Sequence, residues 1–149
     1  MARITVPKLF TIQEANRALP SVTQTVQDLR RLQRKIRNLD SRLTVLNLVC
    51  DRFISGTNAD LREFLTLKVR YHRKIGLFHD ILRKLETMGC YLQDLKQGIV
   101  HFEARRGQER VLLCWREGEK EVSHWHPIDV HEKPEDETPR NPIEAWDQF

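Results

Sequence analysis

The residues with the clearest chemical potential lie in Arg110–Pro127, a segment that holds a cysteine, two histidines and two of the three tryptophans. Cys114, His124 and His126, together with the preceding His101, are of the residue types whose thiolate or imidazole groups bind zinc. A cysteine within hydrogen-bond reach of a histidine can also act as a nucleophile. The segment therefore raises two possible chemistries, metal coordination and thiol catalysis.

The geometry of this segment decides whether those groups meet. We predict two strands joined by a tight turn at Gly118. This turn sets a register in which Leu113 pairs with His124. Because successive side chains point to opposite faces of a sheet, this register separates the possible ligands. The predicted faces carry His124 and His126 on one side, and His101 and Cys114 on the other.

Ligands that are divided between two faces form one metal site only if a bulge brings them together. We therefore expect no bound metal and no cofactor, and His124 and His126 remain the metal candidates. Otherwise these histidines are partly buried imidazoles that bond to backbone or to a carboxylate such as Glu119. Cys114 is then a small buried residue, and as a nucleophile it would depend on His101 alone.

Apolar spacing predicts the elements that must position the segment. Thr11–Glu14 has the form of a capping box, which predicts a short helix to about Leu19, where Pro20 kinks it or opens a new helix. Apolar residues then recur every three or four positions over Ser21–Phe53 and again over Leu61–Met88. This period predicts two long amphipathic helices.

The two long helices are similar in length and are joined by a short connection, Ser55–Asn58, so they must return alongside each other. We predict an antiparallel helical hairpin with coiled-coil-like packing. Several apolar side chains lie off the predicted contact stripes and need further cover: Val45, Leu48, Leu67, Leu77 and Ile81. This cover favours a homodimer, although a monomer covered by its own strand region remains open.

Beyond Gly89, where a left-handed helix cap is expected, the period of the apolar residues changes to two. Four strands are predicted: Cys90–Leu92, Ile99–Ala104, Arg110–Arg116 and Glu121–Pro127. The fold class is therefore α+β, a long antiparallel helical hairpin with a short N-terminal helix and a small C-terminal antiparallel β-meander. We predict a single domain over residues 1–128, with the hairpin at about 11–88 and the meander at about 90–128.

The last part of the chain differs in charge from the rest. Residues 129–149 carry seven acidic and two basic side chains, which gives a net charge of −5. Because the whole chain has a net charge of +4, the preceding residues have a net charge of +9. We predict that this acidic tail is disordered, because it has too little apolar surface to order itself. It could fold back on the basic body, or the body could bind an anionic partner.

Composition bounds the class of protein. With 40% hydrophobic and 31% charged residues and no apolar run long enough to cross a bilayer, we expect no membrane contact. No secretory signal is visible, and the three widely spaced cysteines fit reduced thiols. We therefore expect a cytoplasmic protein.

Three segments carry a likeness to a known family: Leu9–Asn16 with Leu19-Pro20, Gly89–Phe102, and Leu113–His126. In order and spacing they resemble the uncharacterised bacterial family called domain of unknown function 2203 (DUF2203), and Arg140–Ile143 extends the likeness. The resemblance implies no activity, but it points to one surface of the predicted strand pair. Its matching residues, besides the turn residue Gly118, are Cys114, Trp115, Arg116, Glu119, Trp125 and His126. His101 and His124 fall where the resemblance implies variation.

Three functions remain after these arguments. The first is a small non-catalytic binding or assembly module that self-associates through its long helices and presents the Cys114–His126 surface to an unknown protein partner. The second is a metal-dependent module or enzyme centred on Cys114, Glu119 and His126. The third is a nucleic-acid binder that uses basic residues of both helices, although no motif that reads nucleic acid is present. The residues favour the first function, a protein that is not an enzyme, without deciding it.

Overall fold

The structure, a computed structural model, describes residues 8–50, 59–128 and 140–143. In this part of the chain two helices are followed by five strands, which form one antiparallel sheet in the order β1-β2-β3-β4-β5. The elements are α1 Ile12–Cys50, α2 Ala59–Thr87, β1 Cys90–Asp94, β2 Ile99–Arg106, β3 Glu109–Arg116, β4 His124–Pro127 and β5 Asn141–Pro142. The predicted α+β class, with a helical hairpin and a C-terminal meander, is confirmed.

The first helix is longer than the sequence suggested. The capping box forms, since the Glu14 amide donates to Thr11 Oγ1 at 3.1 Å. Pro20 then lies inside α1, so the predicted short N-terminal helix is the first part of α1 and not a separate element. A proline removes one helical hydrogen bond but its φ suits a helix, and buried Leu19 and Val22 continue the apolar stripe across it.

The chain divides into two compact units, Met1–Gln27 with Leu82–Phe149, and Asp28–Ile81. In the second unit α1 and α2 run antiparallel, and Arg42 Nε donates to Glu63 Oε1 across the two helices at 2.9 Å. Leu46 and Leu67 are buried there. The single domain predicted for residues 1–128 stays a prediction.

The first unit is built around the sheet. One face of β2 and β3 is apolar and buried, and it includes Phe102, whose ring meets that of Phe10 edge to face at 5.2 Å. Gly89 adopts φ 89° directly after α2, as expected for a helix cap, and a Cβ there would lie 2.6 Å from the Lys8 carbonyl oxygen. A glycine is therefore required where the helix turns into β1.

The register of the sheet decides which residues meet. Between β2 and β3, His101 lies opposite Cys114, which shifts the predicted pairs by two positions and leaves the predicted faces correct. Between β3 and β4, Leu113 lies opposite Trp125 where the sequence predicted His124. This prediction is wrong by one residue, and a slip of one residue moves every side chain of β4 to the other face.

The connection between β3 and β4 explains the slip. A tight turn does form at Gly118, which has φ 103°, and the Glu119 amide donates to the Arg116 carbonyl at 3.0 Å. The strand predicted from Glu121 begins only at His124, so residues 117–123 make a longer connection. Within this loop the Val122 amide donates to Asn16 Oδ1 of α1 at 2.7 Å, and the Glu119 carboxylate accepts from the Arg116 amide at 2.7 Å. Hydrogen bonds to side chains thus replace the strand ladder that the alternating sequence suggested.

Part of the predicted acidic tail belongs to the sheet. Asn141 and Pro142 form β5, which pairs with β4, and the Ile143 amide donates to the Ser123 carbonyl at 3.0 Å. The rest of the tail lies outside the described residues, so its disorder stays a prediction. Of the helices described, none combines the length and the apolar character needed to cross a membrane.

Candidate metal centre

One row of side chains crosses three neighbouring strands on a single face of the sheet. His101 of β2 lies opposite Cys114 of β3, and Cys114 lies opposite His124 of β4. His126 stands on the same face one pair further along, opposite Leu112. All four possible ligands therefore share one face, and their predicted division between two faces is wrong.

Three of these four residues converge. One ligand atom each from His101, Cys114 and His126 can be chosen so that all three atoms lie within 4.8 Å of one another. The rings of the two histidines are 5.2 Å apart between centroids and are tilted by 56°. His101 is 2% exposed, and the other two residues are fully buried. The sheet thus brings two imidazoles and one thiol together away from solvent.

The dimensions of the cluster suit a borderline-soft divalent ion. Tetrahedral zinc, with bonds of about 2.0–2.3 Å to nitrogen and sulfur, holds its ligand atoms about 3.3–3.7 Å apart. The ligand atoms of His101, Cys114 and His126 lie within 4.8 Å of one another, so they would move together by about 1 Å on binding an ion. Two imidazoles and a thiolate match zinc and related transition metals, whereas magnesium and calcium take oxygen ligands.

A guanidinium group adjoins the cluster from Arg140, the residue directly before β5. The side chain of Arg140 interacts with Cys114 and donates from Nη2 to Glu119 Oε1 at 2.8 Å. Burial lowers the pKa of Arg140, but its hydrogen bond to Glu119 and its attraction to Cys114 outweigh this effect and raise the pKa overall. A positive charge next to a cysteine stabilises the thiolate, which is the form that binds metals.

His124 shares the face but not the cluster. Its Nδ1 lies 2.9 Å from Ser123 Oγ and 3.7 Å from Glu119 Oε2. Burial lowers the pKa of His124, and the positive charge of Arg140 lowers it further. The imidazole is therefore neutral at pH 7 and belongs to a polar network centred on the Glu119 carboxylate, which also accepts from Ser123 Oγ at 3.4 Å.

The residues that the sequence assigned to one functional surface occupy different places. Cys114 and His126 are in the cluster, and Glu119 is beside it. Trp115 is 2% exposed on the opposite face, and its Nε1 donates to the Glu119 carbonyl at 3.0 Å. Trp125 lies on that opposite face too, with the guanidinium of Arg106 at 4.7 Å from its ring. A common contact role for the whole set stays a prediction.

Sequence reasoning gave too little weight to two residues of the site. The predicted register of β4 was wrong, and it placed His126 on the other face of the sheet from His101. The prediction that His101 shares a face with Cys114 was correct. Arg140 was placed in the acidic tail, and only the likeness over Arg140–Ile143 gave a sign that this residue belongs with the sheet. Cys90 is a useful contrast, since burial raises its pKa to about 11 and it lies on the opposite face, paired with Phe102.

The fold and the cluster together define a class: a small α+β protein with a buried group of two histidines and one cysteine inside an antiparallel sheet. The chain belongs to the family whose model matches residues 8–131 and is described as "Uncharacterized conserved protein (DUF2203)". The family resemblance seen in the sequence is confirmed. Comparisons with curated proteins and with solved structures each give no match.

Proposed function

We propose that this protein is a metal-binding module that holds one zinc-type divalent ion through His101, Cys114 and His126. The observation that carries the proposal is the convergence of three buried ligand atoms within 4.8 Å. The proposal replaces our expectation of no metal, because that expectation depended on a register that the structure contradicts.

The surroundings of the cluster support an ion that is held tightly. Each ligand lies on a strand of the same sheet, so backbone pairing fixes their separations before any ion arrives. Arg140 stabilises the thiolate form of Cys114, and Glu119 in turn holds Arg140. A thiolate ligand needs a reduced cysteine, so the proposal is consistent with a cytoplasmic location.

The test uses Co²⁺ as a spectroscopic substitute for zinc. Purified protein titrated with Co²⁺ is expected to bind one ion per chain and to show the charge-transfer absorption of a cobalt–thiolate bond. Cys114→Ala is expected to remove this absorption, and His126→Ala to weaken the affinity at least tenfold, because each removes one of three ligands.

Cys90→Ala is the matched control for Cys114→Ala. Both positions are fully buried cysteines of the same sheet, so both changes remove one thiol from the core of the first unit. The Cys90 variant is expected to keep the absorption and the stoichiometry. Wild-type protein without cobalt–thiolate absorption, or an absorption that is lost only on replacing Cys90, would sink the proposal.

Self-association through the helices is a second candidate function. In the Asp28–Ile81 unit several large apolar side chains remain exposed, whereas Leu67, which the sequence grouped with them, is buried. The exposed side chains are Val45, Leu48, Leu65, Val69 and Leu77, each 50–67% exposed. A coiled-coil homodimer would bury such side chains, and the burial of exposed apolar surface favours association.

Light scattering tests this candidate at micromolar concentration. We expect a dimer for wild-type protein and a monomer for the double variant Val45→Lys and Leu48→Lys, because charges in an apolar contact oppose association. The control is Gln27→Lys, which adds a charge at an exposed position of α1 and is expected to remain dimeric. A wild-type monomer would refute this second candidate and leave the metal proposal unaffected.

A further inference from the structure

We infer that a small anion, a carboxylate or an oxyanion, binds beside the metal and is held by the guanidinium groups of Arg116 and Arg140. This inference rests on the proposed metal centre and names the class of ligand that its free coordination position accepts.

The donors are two buried guanidinium nitrogens. Arg116 Nε and Arg140 Nε are both shielded from solvent, and neither has a hydrogen-bond acceptor among the residues that the structure describes. A buried donor without an acceptor is unfavourable, and native proteins leave few of them. A bound anion is the natural acceptor, because guanidinium groups offer their N–H donors in a planar fork that matches carboxylates and oxyanions.

Both guanidinium groups lie near the cluster. Arg140 interacts directly with Cys114, one of the three proposed metal ligands. Arg116 lies two residues after Cys114 on β3 and therefore on the same face of the sheet. Its amide and Arg140 Nη2 both donate to Glu119 Oε1, at 2.7 and 2.8 Å, and Glu119 Oε2 lies 3.7 Å from His124 Nδ1. His124 in turn pairs with Cys114 across β3 and β4. The free donors are therefore beside the metal position on the same side of the sheet.

The charges of the loaded site are unequal. A divalent ion and two guanidinium groups face one thiolate and the carboxylate of Glu119, which leaves an excess of positive charge in a buried setting. One bound anion reduces this excess of positive charge. The charge of the metal ion is the largest single attraction on the anion.

Coordination and access set the size of the ligand. Three protein donors leave a tetrahedral ion one open position, as in catalytic zinc sites, where water or another small ligand completes the shell. The three donors are buried, whereas the side chains of Arg140, Glu119 and His124 are 20–29% exposed, so a ligand approaches from their side. A ligand of acetate or phosphate size suits this approach.

The experiment titrates cobalt-loaded protein with sodium acetate and, separately, with inorganic phosphate. The visible bands of the bound cobalt are expected to change saturably with at least one of the two anions, because the anion enters the coordination shell. Arg140→Gln is expected to weaken the anion affinity about tenfold or more, and Arg140→Lys less, since lysine keeps the charge but loses the fork.

The matched control is Arg37→Gln, which removes one positive charge at an exposed position of α1 and is expected to bind anions like the wild type. Circular dichroism and the cobalt–thiolate band show whether each variant is folded and loaded. Loaded protein that responds to neither anion, or equal anion affinity in Arg140→Gln, overturns the anion site and leaves the metal centre intact. Protein without a cobalt–thiolate band overturns both, and this missing band identifies that case.

Discussion

Zinc at about a thousand times its dissociation constant is expected to raise the free energy of unfolding of the wild-type protein by about 4 kcal/mol. The reason is that the three ligands converge only when β2, β3 and β4 are paired, so the ion binds the folded state and not the unfolded chain. For a chain of this size the gain corresponds to about 8–16 °C in melting temperature, measured by differential scanning calorimetry.

The specificity of this effect comes from the ligand set. Cys114→Ala is expected to abolish the stabilisation, and magnesium at the same concentration is expected to give none, because it prefers oxygen ligands. Cys90→Ala serves again as the control, since it removes a thiol from the opposite face of the sheet and should keep the zinc effect. An equal rise in melting temperature for the wild type and Cys114→Ala would contradict the proposed centre.

Glu119→Ala is expected to destabilise the protein by about 2–4 kcal/mol. The carboxylate accepts from the Arg116 amide at 2.7 Å and from Arg140 at 2.8 Å, and hydrogen bonds to charged groups contribute about 1.5–3 kcal/mol each. Its removal leaves the partly buried guanidinium of Arg140 without its counter-ion. Chemical denaturation of the metal-free protein measures the loss without contributions from zinc.

A neighbouring acid provides the comparison for Glu119→Ala. Glu121 is exposed in the same loop, so Glu121→Ala is expected to change stability by less than about 0.5 kcal/mol. Glu119→Gln keeps the shape of the side chain and should fall between the two alanine variants. Similar stabilities for Glu119→Ala and Glu121→Ala would show that the network around this carboxylate does not hold β5 to the sheet.

The elements of the fold were predictable because their signals are local. Steps of three and four along α1 and α2, and steps of two along β2 and β3, specify a helix or a strand over a few residues. Gly89 likewise predicts the end of α2, because a glycine readily adopts the positive φ of a helix C-cap. Pro20 left two outcomes open, a kink or a new helix, because a proline is unfavourable inside a helix. In the structure Pro20 lies inside α1, and the apolar stripe continues on either side of it.

The register of β4 was not predictable, because a contact from far along the chain fixes it. The amide of Val122 bonds to Asn16, which lies 106 positions earlier. No local pattern shows that this amide does not pair in the β-sheet. A strand that begins soon after the turn at Gly118 was therefore the simplest prediction. This error of one residue hid the meeting of His101 and His126, which is the basis of the proposed function.

The position of Arg140 was unpredictable for a related reason. Its surroundings in sequence are acidic and rich in proline, which indicates a chain that does not order itself. The structure shows that the residues directly after it order by joining an existing sheet, which needs only two pairs with β4. Composition measures what a segment can bury by itself, and not what a neighbouring strand can offer it.

β5 is the edge strand of the sheet and covers the outer side of β4. It is only two residues long and contains Pro142, which has no amide hydrogen to offer to another strand. The family match ends at residue 131, so a protein shortened to the family boundaries lacks β5. In such a protein β4 becomes the outermost strand, with bare backbone groups that recruit further chains, and trimming the tail to improve crystallisation would instead promote aggregation.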